Sequence, residues 1–194
     1  MEIGWKEGFV PLSTILKLPF IYARYRLGLL SLNQIDGPIT PLAGMTVEEI
    51  KRLGEETHQA SVERDLYSDM ENLIVELRRE NQRVLLASTT FRFLVEPLAA
   101  RLGVTDIIST ELEISNQRVT GKVLGKPCYA QEKARRVAVY CRTAGIPLSE
   151  ASFYTDSHHD LPLLQAVRSP VAVNPDLRLA YNARQFGWPI LRPA

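Results

Sequence analysis

Residues 84–103 read VLLASTTFRFLVEPLAARLG, and the texture of the chain changes twice within this stretch. The continuous apolar run Val84-Leu85-Leu86-Ala87 has the length and composition of a buried strand. A polar turn, Ser88-Thr89-Thr90, follows it. Next comes a helical stretch from Phe93 to Leu102, ended by Gly103. Strand, polar loop and helix in that order form the repeating unit of an α/β fold.

The alternation continues downstream. Ile107-Ile108 makes a second short strand. Leu112–Ser115 and Arg118–Val123 alternate in period two about Asn116-Gln117, which predicts a β-hairpin, a flap standing off the main sheet. A helix from Ala130 to Ala144 is closed by Gly145, and the strand Ser152–Thr155 runs into Asp156-Ser157-His158-His159-Asp160. A helix over Leu161–Val167, a strand over Val171–Val173 and a last helix from near Asp176 to Arg184 complete the pattern. Strands alternating with helices predict a doubly wound parallel sheet, with ligands at the carboxyl ends of its strands. Ser88, Thr89, Asp156 and Asn174 fall at those ends.

Upstream, residues 9 to 80 read as almost entirely helical, interrupted at Gly28 and at Asp36-Gly37-Pro38. Thr46 followed by Glu49 is a capping box. A further helix spans Ser68–Glu80, with Met70, Leu73, Ile74 and Leu77 on one side. The predicted organisation is a helical cap over residues 1–66 and an α/β core over 67–194.

The composition is that of an ordinary globular protein, 45% hydrophobic and 23% charged over 194 residues. With 23 Lys+Arg against 22 Asp+Glu there is no global pull toward nucleic acid. Cys128 and Cys141 lack metal-type spacing and read as reduced thiols of a cytoplasmic protein. The apolar segment Phe9–Leu32 contains Pro11, Lys17, Pro19, Arg24 and Arg26, which argues against a membrane span of ~20 apolar residues. A packed helical hairpin is favoured there over a membrane-surface helix, a reading kept open by Lys17, Tyr22, Arg24, Tyr25 and Arg26.

Several residues could carry chemistry. Asp156 and Asp160 follow a strand at a spacing that allows Mg2+ to be held through oxygen, while Asp160 could equally cap a helix. Ser88 and Thr89 offer hydroxyls and amides to a phosphate oxygen, or form an ordinary helix start. Lys133 opens a helix, where a solvated lysine is the default. His158 and His159 are adjacent on a turn and do not point at one ion as zinc requires, so they read as loop residues or as supports behind a metal's ligands.

In their order along the chain these residues resemble the second, third and fourth motifs of the haloacid dehalogenase superfamily, and especially its phosphoserine phosphatase-like branch. The stretches concerned are VLLASTTFRFLVEPLA, VTGKVLGKPCYAQEKARRV and FYTDSHHDLPLL. VAVNPDLRL, the terminal GWPIL and the cap-like PLAGMTVEEI resemble the branch too. The resemblance implies a Mg2+-dependent hydrolase of small-molecule phosphomonoesters with an aspartyl-phosphate intermediate. It implies that Ser88, with the Thr89 amide, binds a phosphoryl oxygen and that Lys133 neutralises charge. Asp156 would ligate Mg2+, and Asp160 would hold the metal shell or orient Lys133. Where the family often has Asn before the last Asp, this chain has His159.

The superfamily's first motif, Asp-x-Asp at the end of a first strand, supplies the nucleophile and the acid/base. It does not occur in these 194 residues. Gln34-Ile35-Asp36 resembles it superficially, with Gln34 where the nucleophile belongs and no buried strand before it. The expectation is a core whose first strand is absent from this chain, supplied by upstream residues in a competent full-length phosphatase, with this chain itself inactive. The competing function is a non-catalytic relative that binds phosphorylated ligands or a partner. Substrate identity and oligomeric state are not legible.

Overall fold

The computed structural model describes residues 42–62 and 65–193. The expected hairpin over Phe9–Leu32, the turn at Asp36-Gly37-Pro38 and the Gln34–Asp36 segment lie outside them. The chain divides into two compact units. Of the described residues, those up to Cys128 belong to the first and those from Tyr129 onward to the second.

The first unit begins with α1 (Val47–Thr57), started by the capping box read from the sequence. The Glu49 amide donates to Thr46 Oγ1 at 3.2 Å, and the Thr46 amide donates to Glu49 Oε2 at 2.7 Å. One turn of π-helix, His58–Val62, continues it. Helix α2 (Ser68–Arg79) buries none of its residues fully, and its Arg78 Nη1 donates to the Leu102 carbonyl at 2.9 Å. That bond satisfies a carbonyl at the end of α3 (Arg92–Leu102) that the helix itself leaves unpaired.

Helix α3 contains Pro97, which has no N–H for the carbonyl of Phe93 four residues earlier. Gly54 of α1 packs over that same carbonyl: a Cβ placed on it would lie 2.1 Å from Phe93 O. Ile50, Phe93 and Val119 form the buried centre of the unit, flanked by Leu42, Met45, Leu53, Phe91, Leu94 and Leu112.

Strands β1 (Leu85–Phe91) and β2 (Asp106–Thr110) pair in parallel. The expected polar turn at Ser88–Thr90 is instead the irregular end of β1. Ala87 pairs with Ile108 and Phe91 with Thr110, so β1 advances four residues while β2 advances two. The surplus pushes Ser88, Thr89 and Thr90 out of regular pairing, as a bulge does.

Strands β3 (Leu112–Ser115) and β4 (Arg118–Val123) form the predicted hairpin. Asn116 and Gln117 both have positive φ (50° and 63°), the backbone of a two-residue hairpin turn that matches strand twist. The hairpin is a two-stranded sheet of its own, as expected, and is tethered along one edge. Residues 44–47 run along β4, with Gly44 N to Val119 O at 2.8 Å and Val119 N to Met45 O at 2.9 Å. Arg118 Nη1 adds a bond to the Gly44 carbonyl at 2.6 Å.

The second unit contains α4 (Ala130–Thr143) and the parallel strands β5 (Ser152–Thr155), β6 (Ser169–Val173) and β7 (Ile190–Leu191), in spatial order β5-β6-β7. Helix α5 (Leu161–Leu164) is a single turn, shorter than the Leu161–Val167 expected, with Pro162 in its first turn. Helix α6 (Leu177–Phe186) is capped by Asp176 and ends at Gly187, whose φ of 68° suits glycine. Leu164, Ala172, Leu179 and Ala183 are sealed from solvent, with Phe153, Leu161, Trp188 and Ile190 around them. Burying each such leucine stabilises the unit by about 1.5–3 kcal/mol. Among the described residues, no helix is long and apolar enough to cross a membrane. Cys128 and Cys141 are buried and not disulfide-bonded.

Candidate active site

In the second unit the sequence-predicted residues Lys133 and Asp160, 27 positions apart, come together. Lys133 lies on the first turn of α4, and Asp160 ends the turn that follows β5. The ammonium lies 2.7 Å from Asp160 Oδ1 and 2.9 Å from Oδ2. Both side chains are nearly sealed, 7% and 5% exposed. Thr155 Oγ1 also donates to Oδ2, at 2.8 Å. Both oxygens of Asp160 thus accept hydrogen bonds from neighbouring side chains. The alternative role as a helix cap is unused: no side-chain cap bond from Asp160 starts α5.

Asp156 stands exposed just beyond the carboxyl end of β5. Among the described residues no group of three His, Cys, Asp or Glu side chains converges as a metal-binding cluster. Mg2+ keeps several waters and takes one or two carboxylates plus substrate phosphate, so Asp156 is a suitable donor for it without being a complete site. Softer metals that need histidine or thiolate cages do not fit this donor set.

The intervening turn is tightly tied. Ser157 N donates to Thr155 Oγ1 at 3.2 Å, and His159 N donates to Ser157 Oγ at 3.3 Å. The His158 and His159 rings are tilted to each other by 41° with centroids 3.9 Å apart, and His159 Nδ1 meets the Tyr129 hydroxyl at 2.6 Å. Burial, reinforced by the neighbouring His158 ring, pushes the His159 imidazole below its ordinary range. Both histidines lie in the short turn that ends at Asp160.

Asp176 was legible only as the start of the last helix. It is buried, accepts from His158 N at 2.8 Å and meets His158 Nδ1 at 2.9 Å. Burial alone would raise its carboxyl. The His158 and Leu179 amides and the His158 ring outweigh that and hold it below the usual range. Beside Lys133, Glu132 is drawn down to about 2 by hydrogen bonds from Arg135 and Arg136.

In the first unit Ser88 and Thr89 occupy the irregular end of β1. Ser88 Oγ accepts the Thr90 amide at 3.1 Å, which leaves the hydroxyl proton to donate elsewhere. Thr110, unremarked in the sequence, is buried and braces this segment. Its hydroxyl donates to the Thr89 carbonyl at 2.7 Å and accepts from the Cys128 amide at 3.0 Å.

Parallel strands with intervening helices in each unit make this an α/β protein, and the second unit adds a buried lysine–aspartate pair beyond a strand end. The family model described as haloacid dehalogenase-like hydrolase matches residues 3–165, and the chain belongs to that family. It is 33% identical over 176 residues to a histidinol-phosphatase of Neisseria meningitidis, covering 88% of this chain and 79% of that one. It is 32% identical over 149 residues to phosphoserine phosphatase SerB1 of Mycobacterium tuberculosis, covering 77% of this chain but only 48% of the relative. Among solved structures, a Bordetella pertussis protein of unknown function superposes with a TM-score of 0.80 at 27% identity, covering 94% of this chain and 83% of that one.

Proposed function

We propose that the protein is a Mg2+-dependent phosphomonoester hydrolase working through an aspartyl-phosphate, with its attacking carboxylate outside these 194 residues. The observation that carries this reading is the sealed Lys133–Asp160 pair one turn beyond Asp156 at the end of β5. A buried lysine held by a carboxylate presents fixed positive charge, and fixed charge and donors stabilise a transferring phosphoryl group. Lys133 neutralises phosphate charge and Asp160 keeps it oriented. The Ser88 hydroxyl and the Thr89 amide hold a phosphoryl oxygen. Asp156 ligates Mg2+, which when bound supplies charge neutralisation at the phosphate oxygens.

Small phosphomonoesters are the substrate class, with histidinol phosphate and phosphoserine the first to test because the relatives carry those names. The division assigned is a cap region over residues 1–66 and an α/β core over 67–194, in a cytoplasmic protein. No Asp-x-Asp occurs in the sequence, so this chain alone binds phosphate without turning it over. The same absence supports the alternative of a phosphate-binding relative without catalysis.

Two assays decide. The 194-residue chain and a version extended by its upstream coding sequence are each given phosphomonoesters with and without Mg2+. Mg2+-dependent turnover by the extended form, abolished by Lys133→Ala, is expected. Enzyme-like turnover by the 194-residue chain would overturn its assigned inactivity, and an extended form carrying Asp-x-Asp yet inert would overturn the reading as a whole.

A further inference from the structure

Asp176 is buried, yet no step of the proposed reaction uses it. Its carboxylate oxygens have separate tasks. Oδ1 accepts the Leu179 amide at 2.8 Å, the ordinary work of a helix N-cap. Oδ2 takes the His158 amide at 2.8 Å and faces the His158 ring Nδ1 at 2.9 Å. The backbone returns the link, because the Asp176 amide donates to the Asp156 carbonyl at 2.8 Å.

A cap needs only the first of these bonds. Serine caps a helix about as well as aspartate does, so capping gives no reason for the second oxygen. That oxygen and the amide instead reach the first and third residues of the Asp156–Asp160 turn. The rest of the turn is fastened independently: Tyr129 meets His159, and Lys133 and Thr155 hold Asp160. At the Asp156–His158 end, the Asp176 side chain ties the turn to a helix outside it.

We infer that Asp176 is the positioning residue of this turn, setting through His158 and the Asp156 backbone the orientation in which the Asp156 carboxylate is offered to Mg2+. The inference rests on the phosphatase reading, in which the turn is the metal side of the site. A carboxylate on an unfastened turn samples many orientations, and loss of such outer partners typically weakens metal binding by about 10–100-fold.

The test uses the 194-residue chain with Asp176→Ser, Asp176→Ala and His158→Phe. Asp176→Ser keeps an oxygen for the Leu179 amide and removes both bonds to His158. His158→Phe removes the ring bond and keeps the amide bond. Thermal denaturation reports capping. Amide exchange at residues 157–160 reports the order of the turn, and Mg2+ titration followed by the amide resonances of residues 155–160 reports metal affinity.

Asp176→Ser is expected to keep a melting temperature near the wild type's, well above that of Asp176→Ala. It should also speed exchange in the turn and weaken Mg2+ by about tenfold or more. His158→Phe should fall between wild type and Asp176→Ser in Mg2+ affinity. If Asp176→Ser binds Mg2+ as the wild type does while Asp176→Ala merely melts earlier, Asp176 is a cap and the inference is overturned. If the wild-type turn shows no response to Mg2+ at all, the metal assignment itself falls, a result distinct from the first.

Discussion

The ammonium of Lys133 sits within 2.9 Å of both carboxylate oxygens of Asp160, with almost no solvent reaching either side chain. A buried ion pair contributes little net stability against an apolar replacement, yet breaking one side of it is costly. Lys133→Met leaves the Asp160 charge with Thr155 as its one remaining side-chain partner among the described residues and is expected to destabilise the protein by about 3–5 kcal/mol. The double variant Lys133→Met/Asp160→Leu should recover most of that loss in urea denaturation. A single-variant cost under about 1 kcal/mol would mean water reaches the pair.

Gly54 tests the contact between α1 and α3. Glycine to alanine inside a helix normally gains up to about 1 kcal/mol. Here the added methyl would meet the Phe93 carbonyl at 2.1 Å, backbone that cannot swing aside. Gly54→Ala is expected to destabilise by about 1–3 kcal/mol. Thermal melts read the sign directly, and a stabilised variant sinks the packing described.

Ala130 opens α4 at φ 46°, in the left-handed region that disfavours a Cβ. Replacing it with glycine removes that strain and adds freedom to the unfolded chain. The net expectation is a gain of about 0.5–1 kcal/mol. Valine at the same place should lower stability, because branching at Cβ worsens the clash. The melting order Gly, Ala, Val from highest to lowest is the outcome to look for.

Glu132 gives the fold a pH signature. Its carboxyl lies at about 2, against an ordinary value of 4.5, because Arg135 and Arg136 both donate to it. A depressed carboxyl contributes stability above its unfolded value, and that contribution is lost as pH falls from 4.5 toward 2. Arg135 is solvent-exposed, so the contribution is roughly 1 kcal/mol. Glu132→Gln should be less stable than wild type at pH 6, with the difference shrinking toward pH 2. A difference that does not change with pH would remove the ion pairing as its cause.

Local chemistry made much of this molecule readable in advance. The Thr46–Glu49 capping box, the hairpin about Asn116-Gln117, the helix closed by Gly103 and the alternation of strands with helices all depend on residues a few positions apart. Periodicity and turn preference act over that range. The order of Ser88, Lys133, Asp156 and Asp160 along the chain also sufficed for the family, since motif order is itself a property of sequence.

Other features depend on which distant residues meet. The irregular end of β1 arises from the register of β2, and the hairpin's tether from residues 44–47 beside β4. Asp160 reads equally well as a helix cap or a lysine's partner until the fold surrounds it with Lys133 and Thr155. Asp176 reads as a cap until His158 meets its second oxygen. A carboxylate's role is set by the groups that desolvate and pair with it. In this protein the sequence by itself determined most of the elements and the family, while tertiary structure decided what each buried charge holds, because those partners come from different elements.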